Sequence, residues 1–282
     1  MGTALVDAKV IHRQRSLYST ILVDQRGSVI CLQFSVRRDQ RNQSCMDTRR
    51  PKAMILVYTR MMMTGLLLQP RPQSVLMIGM GGGTIPSVLS ELYPSAKISV
   101  VEIDPAVVDV AEEYFDFAAT DNMQVAIQDG RVFVKRAALN GARYDLIFLD
   151  AFNGDYIPEH LMTQEFLQEV KSLMSPGAVM VANTFAVSRL YHHESTTFHA
   201  VFGDFLNLKS PSSANRVILA VNGPLPDNAK LRTTALELAP SLRPYGLGLR
   251  KHVGRMGRKP DWDANARVLT DQYAPANLLR DR

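Results

Sequence analysis

The residues of this chain whose types and spacing could do chemistry are the run Gly79-Met80-Gly81-Gly82-Gly83-Thr84 and the acids Glu102, Asp104, Asp129 and Asp150. Each stands just after a short apolar run. Glycines at such a turn let a ligand approach the backbone, and a helix that follows presents unpaired N–H groups there. An acid at the tip of the next strand can accept hydrogen bonds from ribose hydroxyls. A dinucleotide site would need G-x-G-x-x-G to seat a pyrophosphate. Here the third glycine position is Thr84, and no basic residue stands near for a phosphate. The pattern therefore suits a nucleoside without phosphate, an S-adenosyl compound, with Glu102 on the ribose and Asp129 on the adenine amino group. Each acid taken alone is also an ordinary cap for the helix after its strand.

These residues must be positioned by the elements around them. Val75 to Ile78, Ile98 to Ile103, Met123 to Ile127, Asp145 to Leu149 and Gly177 to Asn183 read as buried strands. Between them, Thr84 to Tyr93, Pro105 to Phe115, Arg131 to Ala138 and Thr163 to Leu173 read as helices, and Val187 to Phe202 and a strand over Asn215 to Val221 follow. Strands alternating with helices predict a doubly wound parallel sheet with helices on both faces. Ligands of such sheets bind at the carboxyl ends of the strands, where the glycines and the acids fall. Upstream, residues 1–52 predict a small N-terminal β domain, with strands over Ser16 to Asp24 and Ser28 to Phe34 and a polar loop over Arg37 to Arg50. Residues 53–282 predict the Rossmann-like domain with a C-terminal extension, opened by a helix over Ala53 to Leu68 whose Met61, Met62 and Met63 fill core. The segment Leu269 to Pro275 is placed to fold back over that domain.

Composition excludes several classes. A net charge of +5 with scattered basic residues is no nucleic-acid footprint. No run reaches the ~18 apolar residues of a membrane helix, and Met1 to Arg15 has no secretory pattern. No His/Cys cluster has metal-ligand spacing, and the adjacent His192 and His193 point about 100° apart on a helix. Cys31 and Cys45 read as packing residues in a reduced, cytoplasmic setting.

From about Ser16 to Asp271 the chain resembles the spermidine/spermine synthases, the polyamine aminopropyltransferases, and is most similar to a bacterial spermidine synthase-like branch. Gly79-x-Gly81-Gly82, Val101-Glu102-Ile-Asp104-Pro and Asp129-Gly130 look like the family's cofactor motifs. Gln43-Ser44 looks like its cofactor-contacting glutamine, and Tyr58 sits where it has a substrate-facing tyrosine. The run from Tyr144 through Asp150 to Asp155 is similar to its catalytic loop, continued by Ile157-Pro158-x-His160-Leu and Thr163-x-Glu165-Phe.

The resemblance implies a class I methyltransferase-like fold, Asp150 as the base, and Tyr58 and Asp155 orienting an amine. It further implies Gln43, Gly79, Gly81, Gly82, Glu102, Asp104, Asp129 and Gly130 around decarboxylated S-adenosylmethionine, and a homodimer. Three departures stand out. Gly82 takes the place of a family aspartate. Tyr58-Thr59-Arg60 replaces Tyr-His-Glu, which would set a cation against a dicationic acceptor. Ser210-Pro-Ser-Ser-Ala-Asn215 replaces a tyrosine-proline pair. The first departure allows a second reading, a methyltransferase using S-adenosylmethionine itself, with Gly82 making room for its carboxylate. A third reading is a non-catalytic protein that keeps the fold.

Overall fold

In the computed structural model, residues 8–34, 42–152 and 157–274 are described. The chain opens with four antiparallel strands in the order β1-β2-β3-β4 (β1 Lys9–Arg15, β2 Thr20–Arg26, β3 Val29–Phe34, β4 Asn42–Asp47). Two expectations change here. Ser16 to Ser19 is a turn, closed by the Ser16 side chain, so the predicted strand over Ser16 to Asp24 starts late. Strand β4 lies inside the stretch read as a polar loop. Strand β1 is largely exposed, and β4 buries the polar Ser44 and Asp47, so neither shows the apolar alternation that marks β2 and β3.

The register of β3 on β4 sets Cys31 directly opposite Cys45, Cα to Cα 4.1 Å, and the two form a disulfide. The expectation that they are packing residues is corrected. With β4 unread, nothing in the sequence brought the two together. The bridge removes the cysteine-based ground for a reducing compartment.

After α1 (Val57–Met62) and a tight 3₁₀ turn, the chain alternates through β5 (Ser74–Ile78), α2 (Thr84–Leu92), β6 (Lys97–Glu102), α3 (Pro105–Tyr114), β7 (Met123–Ile127), α4 (Gly130–Leu139), β8 (Tyr144–Leu149), α5 (Gln164–Ser172), β9 (Met174–Phe185) and α6 (Tyr191–Phe202). The opening helix is thus shorter than predicted. Beyond it come β10 (Leu206–Lys209), which is too short to read from sequence, β11 (Asn215–Val221), α7 (Asn228–Leu242), α8 (Arg250–Val253) and β12 (Met256–Gly257).

The eight-stranded sheet has the order β12-β10-β11-β9-β8-β5-β6-β7. Strands β9, β8, β5, β6 and β7 are parallel, and β11, β10 and β12 add on antiparallel beyond β9. The predicted parallel sheet is therefore a mixed one. Alternate residues of each central strand go to opposite faces. Val75 and Met77 pack with α2, α3 and α7, while Leu76 and Ile78 pack with α4, α5 and α6. Both faces are covered, so these strands are apolar throughout, which is what made them legible. Met61, Met62 and Met63 are fully buried in the first of these layers.

The tail folds back as expected. The Leu269 carbonyl accepts from the Gln164 amide, and Asp271 holds Arg131 in a two-pronged pair at 2.7 Å. Among the described residues no helix is long and apolar enough to cross a membrane.

Candidate active site

Strands β5, β6 and β7 run outward on one side, and β8 returns to the other side of β5. The strand order reverses between β5 and β8, and the glycine run and Asp150 both leave the sheet at this point. Open α/β sheets bind ligands there, because diverging loops leave a crevice. The crevice is a cavity of about 270 Å3.

The glycine run is shaped by close approach. Gly79, Gly81 and Gly83 have φ of +81°, +51° and +73°, a region that side chains rarely adopt. A Cβ on Gly79 would stand 2.5 Å from the Asp150 carbonyl oxygen, and one on Gly83 would stand 2.2 Å from the Phe117 ring. The Gly79 amide donates to the Val101 carbonyl and the Asp150 amide to the Ile78 carbonyl, both at 2.8 Å. The loop and Asp150 are thus fixed against each other by backbone.

Glu102 ends β6 inside the cavity wall. Its Oε2 accepts from the Met80 amide at 3.1 Å, and its Oε1 accepts from Ile103 and Asp104 at 2.9 and 3.1 Å. Burial raises its pKa more than these amides lower it, and Asp104 adds to the rise. Oε2 keeps acceptor capacity for a ligand hydroxyl. Asp104 and Asp129 also reach the cavity, yet both act as helix caps. Asp104 Oδ1 accepts from Ala106 at the start of α3, and its Oδ2 accepts from the Ser16 hydroxyl in the β1–β2 turn. Asp129 Oδ1 accepts from Val132 at the start of α4, and its Oδ2 meets His160 Nε2 at 2.8 Å. Burial pulls the Asp129 pKa upward, but the Val132 amide and His160 outweigh it, and the net shift is downward. Gly130 needs its bare Cα, since a Cβ would meet Ile78 at 2.6 Å.

Asp150 closes the cavity below the glycine loop. Desolvation raises its pKa to about 7; Asn183 opposes that shift, and the charge of Glu102 reinforces it. Asn183 Nδ2 donates to Asp150 Oδ1 at 2.7 Å. Tyr58 lies across the cavity, and its hydroxyl donates to the Gln43 carbonyl on β4. Burial and the Asp150 charge push its pKa well above the usual phenol value.

Gln43, Tyr58, Gly79, Gly81, Glu102, Asp104, Asp129, Gly130 and Asp150 all line this one cavity. Asp155 lies outside the described residues. Gly82 does not line the cavity. Its amide donates to Ser44 Oγ at 2.7 Å, and a Cβ there would press on Ser44 and the Phe115 ring at 2.9 and 3.0 Å. The expectation that a bare Gly82 makes room for a ligand carboxylate is corrected, because Ser44 and Phe115 already fill that space. Arg60 is corrected likewise. It is not among the lining residues, and its charge acts on His252 of α8. Sequence reasoning missed Asn183 and the turn residues Tyr18 and Ser19, which line the cavity mouth. Asn183 had a usable signal, a polar residue at the carboxyl end of a buried strand. The Ser16–Ser19 turn had none.

A family model for the spermine/spermidine synthase domain matches residues 55–206. A polyamine aminopropyltransferase of Vibrio vulnificus is 48% identical over 273 residues, covering 96% of this chain and 91% of that protein. The chain belongs to the spermine/spermidine synthase family. As a member, it is a transferase of the polyamine aminopropyltransferase-like kind. Two solved structures share the family's fold. Human methyltransferase-like protein 13 in complex with SAH superposes with a TM-score of 0.62 at 26% identity, covering 80% of this chain and 100% of that one. A probable spermidine synthase from Corynebacterium glutamicum superposes with a TM-score of 0.66 at 18% identity, covering 92% of this chain and 99% of that one, which shows the fold alone.

Proposed function

We propose that the chain transfers an aminopropyl group from decarboxylated S-adenosylmethionine to an amine. The observation that carries this reading is Asp150, desolvated with a pKa near 7, in the same cavity as the glycine loop and Glu102. An amine is protonated at neutral pH and cannot attack. Asp150 takes its proton, and a base is most effective when its pKa lies near the working pH. The freed lone pair attacks the propyl carbon beside the sulfonium, the carbon–sulfur bond breaks, and methylthioadenosine leaves uncharged. The proton stays on Asp150 until solvent removes it. Most of the remaining acceleration is positioning.

In this reading Glu102 holds the ribose through Oε2. Asp129 accepts from the adenine amino group, while Asp104 shapes the wall as a cap. Gln43 and Tyr58 form the roof over the reacting carbon, with Asp155 joining Tyr58 in orienting the amine. In this reading the division near residue 52 separates the four-stranded sheet, which brings Gln43 to the roof, from the larger domain, whose helix α1 brings Tyr58. The sheet ends in β1, which carries the exposed Val10 and is followed at the turn by the exposed Leu17; a homodimer through this face is part of the proposal. A mass near 31 kDa by light scattering would refute the dimer.

Methyl transfer from S-adenosylmethionine is the second reading, favoured by the likeness to the methyltransferase-like protein bound to SAH. Calorimetric titration with both sulfonium compounds separates them. The proposal expects tighter binding of the decarboxylated compound, and tighter binding of S-adenosylmethionine would overturn it.

A further inference from the structure

The segment Ser210 to Asn215, which departs from the family pattern, is joined to Asp150 by an unbroken run of hydrogen bonds. The Asn215 backbone amide donates to Ser213 Oγ at 3.1 Å. The Ser213 hydroxyl donates to Asn215 Oδ1 at 3.0 Å, Asn215 Nδ2 donates to Asn183 Oδ1 at 3.0 Å, and Asn183 Nδ2 donates to Asp150 Oδ1 at 2.7 Å.

The direction of the run is set from the Asp150 end. A carboxylate can only accept, so Asn183 faces Asp150 with its N–H. Asn183 Oδ1 is left to accept from Asn215 Nδ2, and Asn215 Oδ1 to accept from the Ser213 hydroxyl. Ser213 Oγ keeps a lone pair for the Asn215 backbone N–H. A free asparagine can turn over and offer either end; Asn183 turned over alone would lose its bonds to both Asp150 and Asn215. The antiparallel pairing of β9 with β11 carries the geometry, with Asn215 opposite Phe185 and Val217 opposite Asn183. Asn183 is 2% exposed, so water does not compete for its amide.

We infer that Ser213, Asn215 and Asn183 form a hydrogen-bonded relay that favours the ionised form of Asp150 and aims it into the cavity, with Asn183 and Asn215 as positioning residues. A protonated Asp150 would gain only a neutral hydrogen bond from this donor, whereas its carboxylate gains a stronger, charge-assisted one. The relay opposes what the other neighbours do. Among the described residues, the titratable groups facing Asp150 are Glu102 from the end of β6 and Tyr58 from α1. Glu102 repels a second charge, and the Tyr58 hydroxyl is already given to the Gln43 carbonyl. Asn183 is thus the described side chain that hydrogen-bonds the carboxylate. Networks of this kind are satisfied as a whole or lose much of their effect, so an end-member matters although it touches no substrate.

This inference rests on Asp150 as the base only where rates are concerned, so the test has two readouts. The Asp150 carboxyl carbon is titrated by NMR in the ligand-free protein, and kcat/KM is measured against pH. For Asn215→Leu the Asp150 midpoint is expected about one pH unit higher than in the unaltered protein, the loss of part of one charge-assisted hydrogen bond. Ser213→Ala is expected to give a smaller shift in the same direction, and it removes only a hydroxyl, so it remains informative if Asn215→Leu fails to fold. Asn215→Ser, able to donate to Asn183, is expected to restore part of the shift. An unmoved midpoint in both Asn215→Leu and Ser213→Ala overturns the relay. A moved midpoint with an unmoved acid limb of kcat/KM supports the relay and overturns Asp150 as base. Both moving together supports both.

Discussion

The two halves of the cavity are built in opposite ways. On the side proposed for the adenosyl group the acids are anchored by main-chain amides, and Ser16 and His160 add one side-chain contact each to Asp104 and Asp129. Glu102 takes three main-chain amides, and Asp104 and Asp129 each cap a helix. On the Asp150 side the polar group is held by side chains, Asn183 and behind it Asn215, and it faces Tyr58 across the cavity. Backbone-held acids keep their geometry as long as the sheet is folded, so they suit recognition of a fixed nucleoside. An acid held by one side-chain amide in a desolvated place sits near neutrality and can exchange a proton. The difference teaches that binding and chemistry can be disturbed separately.

The contrast is broken most severely at the one point where the halves share backbone. Gly79→Ala places a methyl 2.5 Å from the Asp150 carbonyl at φ +81°. Neither atom can move without breaking the β5–β8 contact, so a destabilisation of about 3 kcal/mol or more is expected. Thermal unfolding would show it, and an unchanged melting temperature would contradict the close approach.

The roof gives the next effect. Cys31–Cys45 ties β3 to β4, and β4 carries Gln43 and Ser44 to Tyr58 and to the Gly82 amide. Replacing both cysteines by serine is expected to lower stability by up to about 3 kcal/mol for a loop of this length. It is also expected to raise KM for the sulfonium donor more than it lowers kcat. Identical melting curves for the unaltered protein under oxidising and reducing conditions would show that the bridge does not restrain the roof.

A smaller effect sharpens the comparison through pH. Asp150 has a folded pKa of about 7 against an ordinary 3.8. The folded state therefore holds this proton more tightly than the unfolded chain does. The sign follows: stability from this group is present below pH 3.8 and is lost as pH rises to about 7. Asp150→Asn carries no such charge, so its melting temperature is expected to exceed that of the unaltered protein at pH 8, with the gap narrowing toward pH 5. No pH dependence in the gap would contradict a desolvated carboxyl.

What could be read from sequence divides along the same line. Strands β5, β6 and β8 are buried on both faces, and they and the half-exposed edge strand β7 end in glycine or acid, so the apolar runs and the strand-end residues located Gly79, Glu102, Asp129 and Asp150 together. The caps at Asp104 and Asp129 follow from the same junctions. The Asp150 surroundings resisted because they are assembled from distant pieces. Asn215 reaches Asn183 only through an antiparallel pairing beyond the parallel sheet. Ser44 reaches Gly82 only through β4, whose polar sequence disguised it as a loop. Gly82 was misread for that reason, since motif position places a residue in a loop without telling which way its Cβ points.

The most direct measurement is turnover by Asp150→Asn alongside its affinity for methylthioadenosine. The account predicts a fall in kcat of about 100- to 10,000-fold, the usual span for losing a positioned base, with methylthioadenosine bound as tightly as before. Turnover that survives the substitution, or affinity lost together with activity, would contradict the separation of the adenosyl half from the Asp150 half.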